Sequence, residues 1–219
     1  RRQSDSIHLK STSSLPVRIV DFFLVITPGQ CHQYGQSFQQ LHPENVHLDP
    51  TVCSCYPAPD FYKDMLLPEH VSPFVFPLGM HLTSMERTPY FFTFVLTDVS
   101  GVKLYGATLH VYELVEPEEL SMMLGHALGS SEFPTWPLVF APKALTILSH
   151  YPFYNLFREY LEQLYRISLS SSPIPLERYI VNFVHEVPLP PQGQIEVNFA
   201  LADRTISISR PPKNRLPMV

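Results

Sequence analysis

Short apolar runs cut apart by prolines dominate the pattern of this chain. Val17 to Thr27 (VRIVDFFLVIT) is rich in β-branched and aromatic residues and almost continuously apolar, and Pro28-Gly29 is expected to stop it. Such a run predicts a strand buried on both faces, which needs another layer on each side. Gln30 to Pro73 shows little periodicity and reads as a long connection with one short helix around Asp60 to Leu67. Phe74-Val75-Phe76 reads as a short strand closed by Pro77 and Gly79.

Tyr90 to Asp98 (YFFTFVLTD) and Val102 to Leu114 (VKLYGATLHVYEL) flank Val99-Ser100-Gly101 and predict an antiparallel hairpin. Gly101 suits a turn with positive φ, and Gly106 inside a strand implies a bulge or a close neighbour above it. Glu116 to Leu128 predicts a helix with Pro117 and Glu118 in its first turn, and Met122, Met123 and Leu124 facing something apolar. Val139 to Ser149 holds a strand at Leu145 to Leu148, broken upstream by Pro142.

The strongest helical signal is Phe153 to Ser168. Phe153, Leu156, Phe157, Tyr160, Leu161, Leu164 and Tyr165 recur on one stripe, with Arg158, Glu159, Glu162 and Arg166 off it. Each large side chain buried there is worth roughly 1.5–3 kcal/mol before entropy. After a linker at Ser170 to Pro175, Leu176 to Glu186 predicts a shorter helix presenting Tyr179, Ile180, Phe183 and Val184. Val187 to Gly193 must be extended, because each residue before a proline is pushed out of the α region. Ile195 to Leu201 and Thr205 to Ser209 alternate and predict a second hairpin turning at Ala202-Asp203-Arg204. There is no internal repeat and no coiled-coil heptad.

Composition narrows the class. The 219 residues allow one large domain or a domain plus part of another, and 45% hydrophobic content supports a sizeable core. Twenty-three prolines against eight glycines argue against an uninterrupted helical bundle. A net charge of −5 gives no electrostatic footprint for nucleic acid or an anionic membrane surface. Three cysteines fit reduced thiols better than a secreted disulfide framework. No apolar stretch reaches the 18 or so residues a spanning helix needs. Polar residues 1–14 read as a disordered leader, and a chain opening on Arg1 reads as a piece of a longer protein.

Enzyme signatures are largely missing. The chain has no G-x-x-x-x-G-K-[ST], G-x-G-x-x-G, G-x-S-x-G or H-E-x-x-H. Cys31-His32, His42, His47 and Cys53-Ser54-Cys55 share the long connection; zinc would suit such ligands, but C-x-C is not the usual knuckle spacing. Cys31, Cys53, Cys55 and His42 therefore stand as weak metal candidates beside a reading as free thiols and loop histidines. His150 and His185 lie near Glu159 and Glu186, but helical neighbours one apart do not face each other, which favours structural roles. Asp98, Lys103 and Tyr105 on the hairpin are either an ordinary solvated turn or a protein-contact edge.

Four ordered segments resemble the DENN-domain family. These are Tyr56-Pro57 through Phe74-Val75-Phe76-Pro77-Leu78-Gly79; Phe92 through Thr97-Asp98-Val99-Ser100-Gly101 to Tyr105-Gly106; Pro142-Lys143-Ala144-Leu145 through Ser149 to Phe153; and Pro175 through Glu186-Val187-Pro188-Leu189-Pro190-Pro191 to Gly193. Pro77, Gly79, Thr97, Gly101, Gly106, Pro142, Glu186, Pro188 and Pro190 are the fold-signature positions in them. The resemblance implies an α/β (α+β) architecture: a longin-like, mostly antiparallel central sheet flanked by helices, with a C-terminal helix, an extended proline-rich connector and a β-hairpin. It implies a leader at 1–14, an upstream DENN module at 15–169, and a connector with the start of the central DENN module at 170–219.

It also implies part of a guanine-nucleotide exchange factor for a Rab-family GTPase, cytoplasmic or peripheral on trafficking membranes through indirect association. Exchange activity is then expected only together with the central module. The expected cofactor is none and the expected partner is a Rab. The matched motifs carry none of the family's Rab-contacting residues, so Asp98, Lys103 and Tyr105 are contact candidates on their own chemistry alone. A longin-like scaffold that recruits a GTPase or adaptor without exchange, and a zinc-stabilised regulatory domain, remain as alternatives.

Overall fold

A computed structural model of the chain describes residues 18–31, 42–62, 66–97, 101–128, 136–193 and 195–212. The expected leader at 1–14 lies outside the described residues. Strand β1 spans Phe22–Cys31, β2 His47–Tyr56, β3 Met80–His81, β4 Tyr90–Thr97, β5 Lys103–Leu114 and β6 Phe140–Ser149. They form one six-stranded sheet in the order β3-β2-β1-β6-β5-β4, antiparallel at every pairing. Helices flank it: α1 at Val71–Val75, α2 at Pro117–Leu128, α3 at Tyr154–Ser168 and α4 at Leu176–Val181. The result is an α+β fold consistent with a longin-like module. Strands β7 (Glu196–Leu201) and β8 (Arg204–Ser209) make a separate hairpin.

The alternation of β1 explains the layering. Phe22, Leu24 and Ile26 enter a core with Val71, Val75, Leu120 and Leu124 of α1 and α2. Phe23 enters the opposite core with Leu156, Phe157, Tyr160 and Leu161 of α3. The strand is therefore buried on both faces, as its apolar run predicts. On α3, Leu156, Phe157, Tyr160, Leu161 and Leu164 of the expected stripe are buried, Phe153 and Tyr165 are half-buried, and Gln163 and Ile167 are buried with them. Six buried apolar residues there amount to roughly 9–18 kcal/mol of gross burial before entropy. Tyr160 stacks on Phe183 at 3.9 Å, and Phe183 on Phe199 at 5.3 Å. This aromatic column ties the C-terminal hairpin to α3, on the same side of the sheet.

Several boundaries differ from the sequence reading, and prolines account for most of them. Pro28-Gly29 does not stop β1, and Pro142 does not break β6. The β1–β6 register ends at Ile26↔Ala144, so Pro28 and Pro142 lie where their strand has a neighbour on one side only. A proline there removes no ladder hydrogen bond. The 42–56 part of the long connection is ordered: a 3-10 turn at Pro43–Asn45 leads into β2. Pro50 is tolerated because β3 covers only His47 and Leu48 of β2. The expected helix at Asp60 to Leu67 is not seen at 60–62 or 66–67, and 63–65 lie outside the described residues. Phe74-Val75-Phe76 is the end of α1 rather than a strand. On α2, Leu120 and Leu124 are buried, whereas Met122 is exposed.

Leu176 to Glu186 begins as α4 and widens at Asn182–Glu186 into a π-type turn that buries Phe183 and Val184. Glu186 there accepts a hydrogen bond from Asn182 Nδ2 and faces Arg178 at 3.6 Å. Val187 to Gly193 takes up no helix: Val187 is extended, Pro188 bridges to Arg18 and Pro190 is buried. Gly79 and Gly101 adopt φ of +77° and +84°, conformations that glycine takes without steric cost.

Candidate functional site

Lys103 opens β5 opposite Thr97 and is exposed; Tyr105, two residues on, lies on the same side of the strand. Asp98 lies outside the described residues. The Tyr105 ring meets Tyr154, the first residue of α3, edge to face at 6.1 Å. The hairpin candidate thus extends into a tyrosine pair joining strand to helix. Tyr154 carried no signal in the sequence beyond its place beside the amphipathic stripe. Burial raises the Tyr154 phenol above its ordinary range, so it stays protonated and able to donate.

A concavity of about 580 Å³ lies on the same face of the sheet, toward the other end of α3. Phe23, Val25 and Leu145 form its floor, Leu164 and Tyr165 of α3 one wall, and Leu176 and Ile180 of α4 the other. At its rim Lys143 Nζ donates to both Glu113 carboxylate oxygens, at 3.0 and 3.1 Å. An apolar floor with a few polar groups at the edge is how binding grooves are built. Along β5, Tyr105 and Glu113 are eight residues apart, about 27 Å at strand rise. The hairpin pair and the groove are therefore two separate surfaces. The groove was not legible in the sequence because Ser54, Cys55 and Tyr56 of β2, which also line it, are hidden in the proline-rich connection.

Titratable side chains inside the fold are committed to structure. Asp21 is buried and accepts from Arg18 Nε at 2.7 Å, from the His150 backbone N–H at 2.8 Å and from His150 Nδ1 at 2.7 Å. This ties the entry of β1 to the end of β6. Arg18 also lies over the Tyr62 ring at 3.6 Å. His150 is thus a structural histidine, paired with Asp21 and not with Glu159. His185 is exposed against the Tyr56 and Phe61 rings.

His110 is buried and stacks on Phe76 at 4.2 Å. Its Nε2–H donates to the Val75 carbonyl at 3.0 Å, which leaves Nδ1 to accept from the Tyr90 hydroxyl. Burial pulls its pKa down to about 4, with the Val75 bond opposing that shift, so the ring is neutral near pH 7. Across from Gly106 the Phe94 ring covers the backbone, and a Cβ on Gly106 would sit 2.3 Å from Phe94 Cζ.

The cysteine candidates are not brought together. Cys31 is buried opposite Leu48, whereas Cys55 pairs with Leu24, seven residues along β1 and about 23 Å away. Cys53 and His42 are exposed, and burial pushes the Cys55 thiol up to about 11. Among the described residues, no three His, Cys, Asp or Glu side chains form a metal-holding group. Among the same residues no helix is long and apolar enough to cross a membrane.

Two family models match in order along the chain: the uDENN domain at residues 50–111 and the DENN (AEX-3) domain at residues 140–219. Together they take in β4, β6 and α3, so both fall on the single six-stranded sheet. The DENN domain and WD repeat-containing protein SCD1 of Arabidopsis thaliana is 28% identical over 217 residues, covering 91% of this chain. The chain spans 17% of the length of that curated relative. With a uDENN match and a DENN match in succession on a longin-like sheet, the chain belongs to the DENN-domain family.

Proposed function

We propose that the chain is the N-terminal part of a guanine-nucleotide exchange factor for a Rab-type GTPase, acting in vesicle trafficking at the cytoplasmic face of a membrane. The observation that carries this reading is the ordered pair of family matches on one continuous sheet. Family-level association of DENN domains with Rab exchange supplies the chemistry. An exchange factor binds the nucleotide-free GTPase more tightly than the nucleotide-bound form, so it shifts the population toward release without breaking a bond. The structural commitment of Asp21, His110 and His150 is in keeping with such a binding role. The Lys103–Tyr105–Tyr154 surface is the proposed contact, with an upstream module at 15–169 and the connector into the central module at 170–219.

The test is release of fluorescent GDP from a panel of Rab GTPases. This chain and a longer polypeptide continuing past Val219 are compared, each with and without Lys103→Glu and Tyr105→Ala. Acceleration by the longer protein, weakened tenfold or more by the two substitutions, supports the reading. Binding without acceleration points instead to a recruiting scaffold. Neither binding nor acceleration sinks both.

A further inference from the structure

At the β3 rim of the sheet, two imidazoles form a pair that the docking role does not use. His47 of β2 and His81 of β3 are direct register partners, with ring centroids 4.3 Å apart and planes crossed at 70°. Partners directly opposite in an antiparallel pair share one face of the sheet. The residues next to them, Leu48 and Met80, are also partners and are buried on the other face. The backbone under the two rings is thus anchored by the core.

The bonding of His81 fixes which nitrogen is free. Its Nε2 lies 3.0 Å from the Leu78 carbonyl, which can only accept, so Nε2 carries the proton. Nδ1 is then a bare lone pair. It is shielded from solvent and has no hydrogen-bond partner. Leaving a buried acceptor unpaired costs on the order of 1–3 kcal/mol, which calls for an explanation. An imidazole held through one N–H by a backbone carbonyl, with its other nitrogen bare, is the usual arrangement of a metal-ligating histidine. The turn through Gly79, at φ +77°, sets the Leu78 carbonyl in place to hold the ring.

We propose that His47 and His81 together bind one borderline divalent cation of the Zn²⁺ or Cu²⁺ class, with water filling the remaining positions. Two imidazole nitrogens at about 2.0–2.1 Å from one tetrahedral ion place ring centroids roughly 5 Å apart. The observed 4.3 Å is within a small rotation of that, and His47 is exposed and free to make it. Imidazole ligands suit Zn²⁺ and Cu²⁺, with Cu²⁺ the tighter of the two. The ion would staple β3, which pairs with β2 through only two residues, onto the sheet. This site is distinct from the scattered Cys31, Cys53, Cys55 and His42.

The test titrates the full chain with CuCl₂ and, separately, ZnCl₂ by calorimetry, beside His47→Gln, His81→Gln and His42→Gln. One class of site is expected to weaken at least tenfold in His47→Gln and in His81→Gln while persisting in His42→Gln. Electron paramagnetic resonance of the Cu²⁺-loaded chain should show coupling to two nitrogens, reduced to one in His47→Gln. Because His47 is exposed, its variant keeps the test valid even if His81→Gln destabilises the rim. Unchanged affinity in His47→Gln, or no binding of either ion by the wild-type chain, overturns the proposal.

Discussion

His110 makes stability depend on pH in a calculable way. In the unfolded chain its imidazole titrates near 6.5; in the fold burial lowers that to about 4. Between those values the unfolded state binds a proton that the folded state refuses, so stability rises with pH across the window. The contribution is fully present above about pH 6.5 and is lost as pH falls toward 4. Two and a half pKa units correspond to about 3 kcal/mol. That is a large share of the 5–15 kcal/mol typical of a folded domain.

The structural reason is plain. A proton on Nδ1 would turn the acceptor of the Tyr90 hydroxyl into a second donor, inside an aromatic cage of Phe76, Tyr90 and Phe92. His110→Gln keeps one donor for Val75 and one acceptor for Tyr90 but does not titrate. Urea unfolding at pH 7.0, 5.5 and 4.5 should show the wild-type midpoint falling faster than that of the variant. With an m-value of about 2 kcal/mol/M the roughly 2.4 kcal/mol lost between pH 7.0 and 4.5 gives an extra fall of ~1.2 M. Parallel midpoints for the two proteins would refute the buried neutral histidine.

Three further outcomes are expected from the same structure. Gly106→Ala drives a methyl into the Phe94 ring, which Phe74 and Phe92 hold in place; it should cost about 1–3 kcal/mol, and an unchanged melting temperature would contradict the close approach. Asp21→Ala leaves Arg18 and the His150 N–H without their carboxylate; a loss of about 3 kcal/mol in chemical denaturation is expected, and a loss under 1 kcal/mol would mean the knot is not a buried ion pair. Leu161→Asp puts an unpaired charge into the fully buried stripe of α3 and should abolish cooperative unfolding by circular dichroism; a normal melt would show that this face is not packed.

What the sequence made legible follows from distance along the chain. The β4–β5 hairpin, the Gly106 close approach and α3 depend on local periodicity and turn chemistry, and the structure places them where that reading does. β2 is hidden in the sequence because Pro50 interrupts the alternation of Leu48 and Val52, and a register shift then puts Cys55 rather than Ser54 on the core face. The tolerance of Pro50 depends on β3 ending after His81, a fact of tertiary pairing. Phe74-Val75-Phe76 shows the ambiguity of short apolar runs, which fit a strand and the last turn of a buried helix equally well. Asp21 and His150 are 129 residues apart, and His47 meets His81 only through the sheet register. No spacing rule points to such pairs.

The binding account rests on a free-energy difference between nucleotide states of a partner. Its most direct test measures the affinity of the longer DENN-containing protein for one Rab prepared both nucleotide-free and GDP-bound. A preference of about 100-fold or more for the nucleotide-free form, close to 3 kcal/mol of coupling, is the expected result. Equal affinity for the two forms would contradict the account, because a ligand without such a preference shifts no equilibrium however tightly it binds.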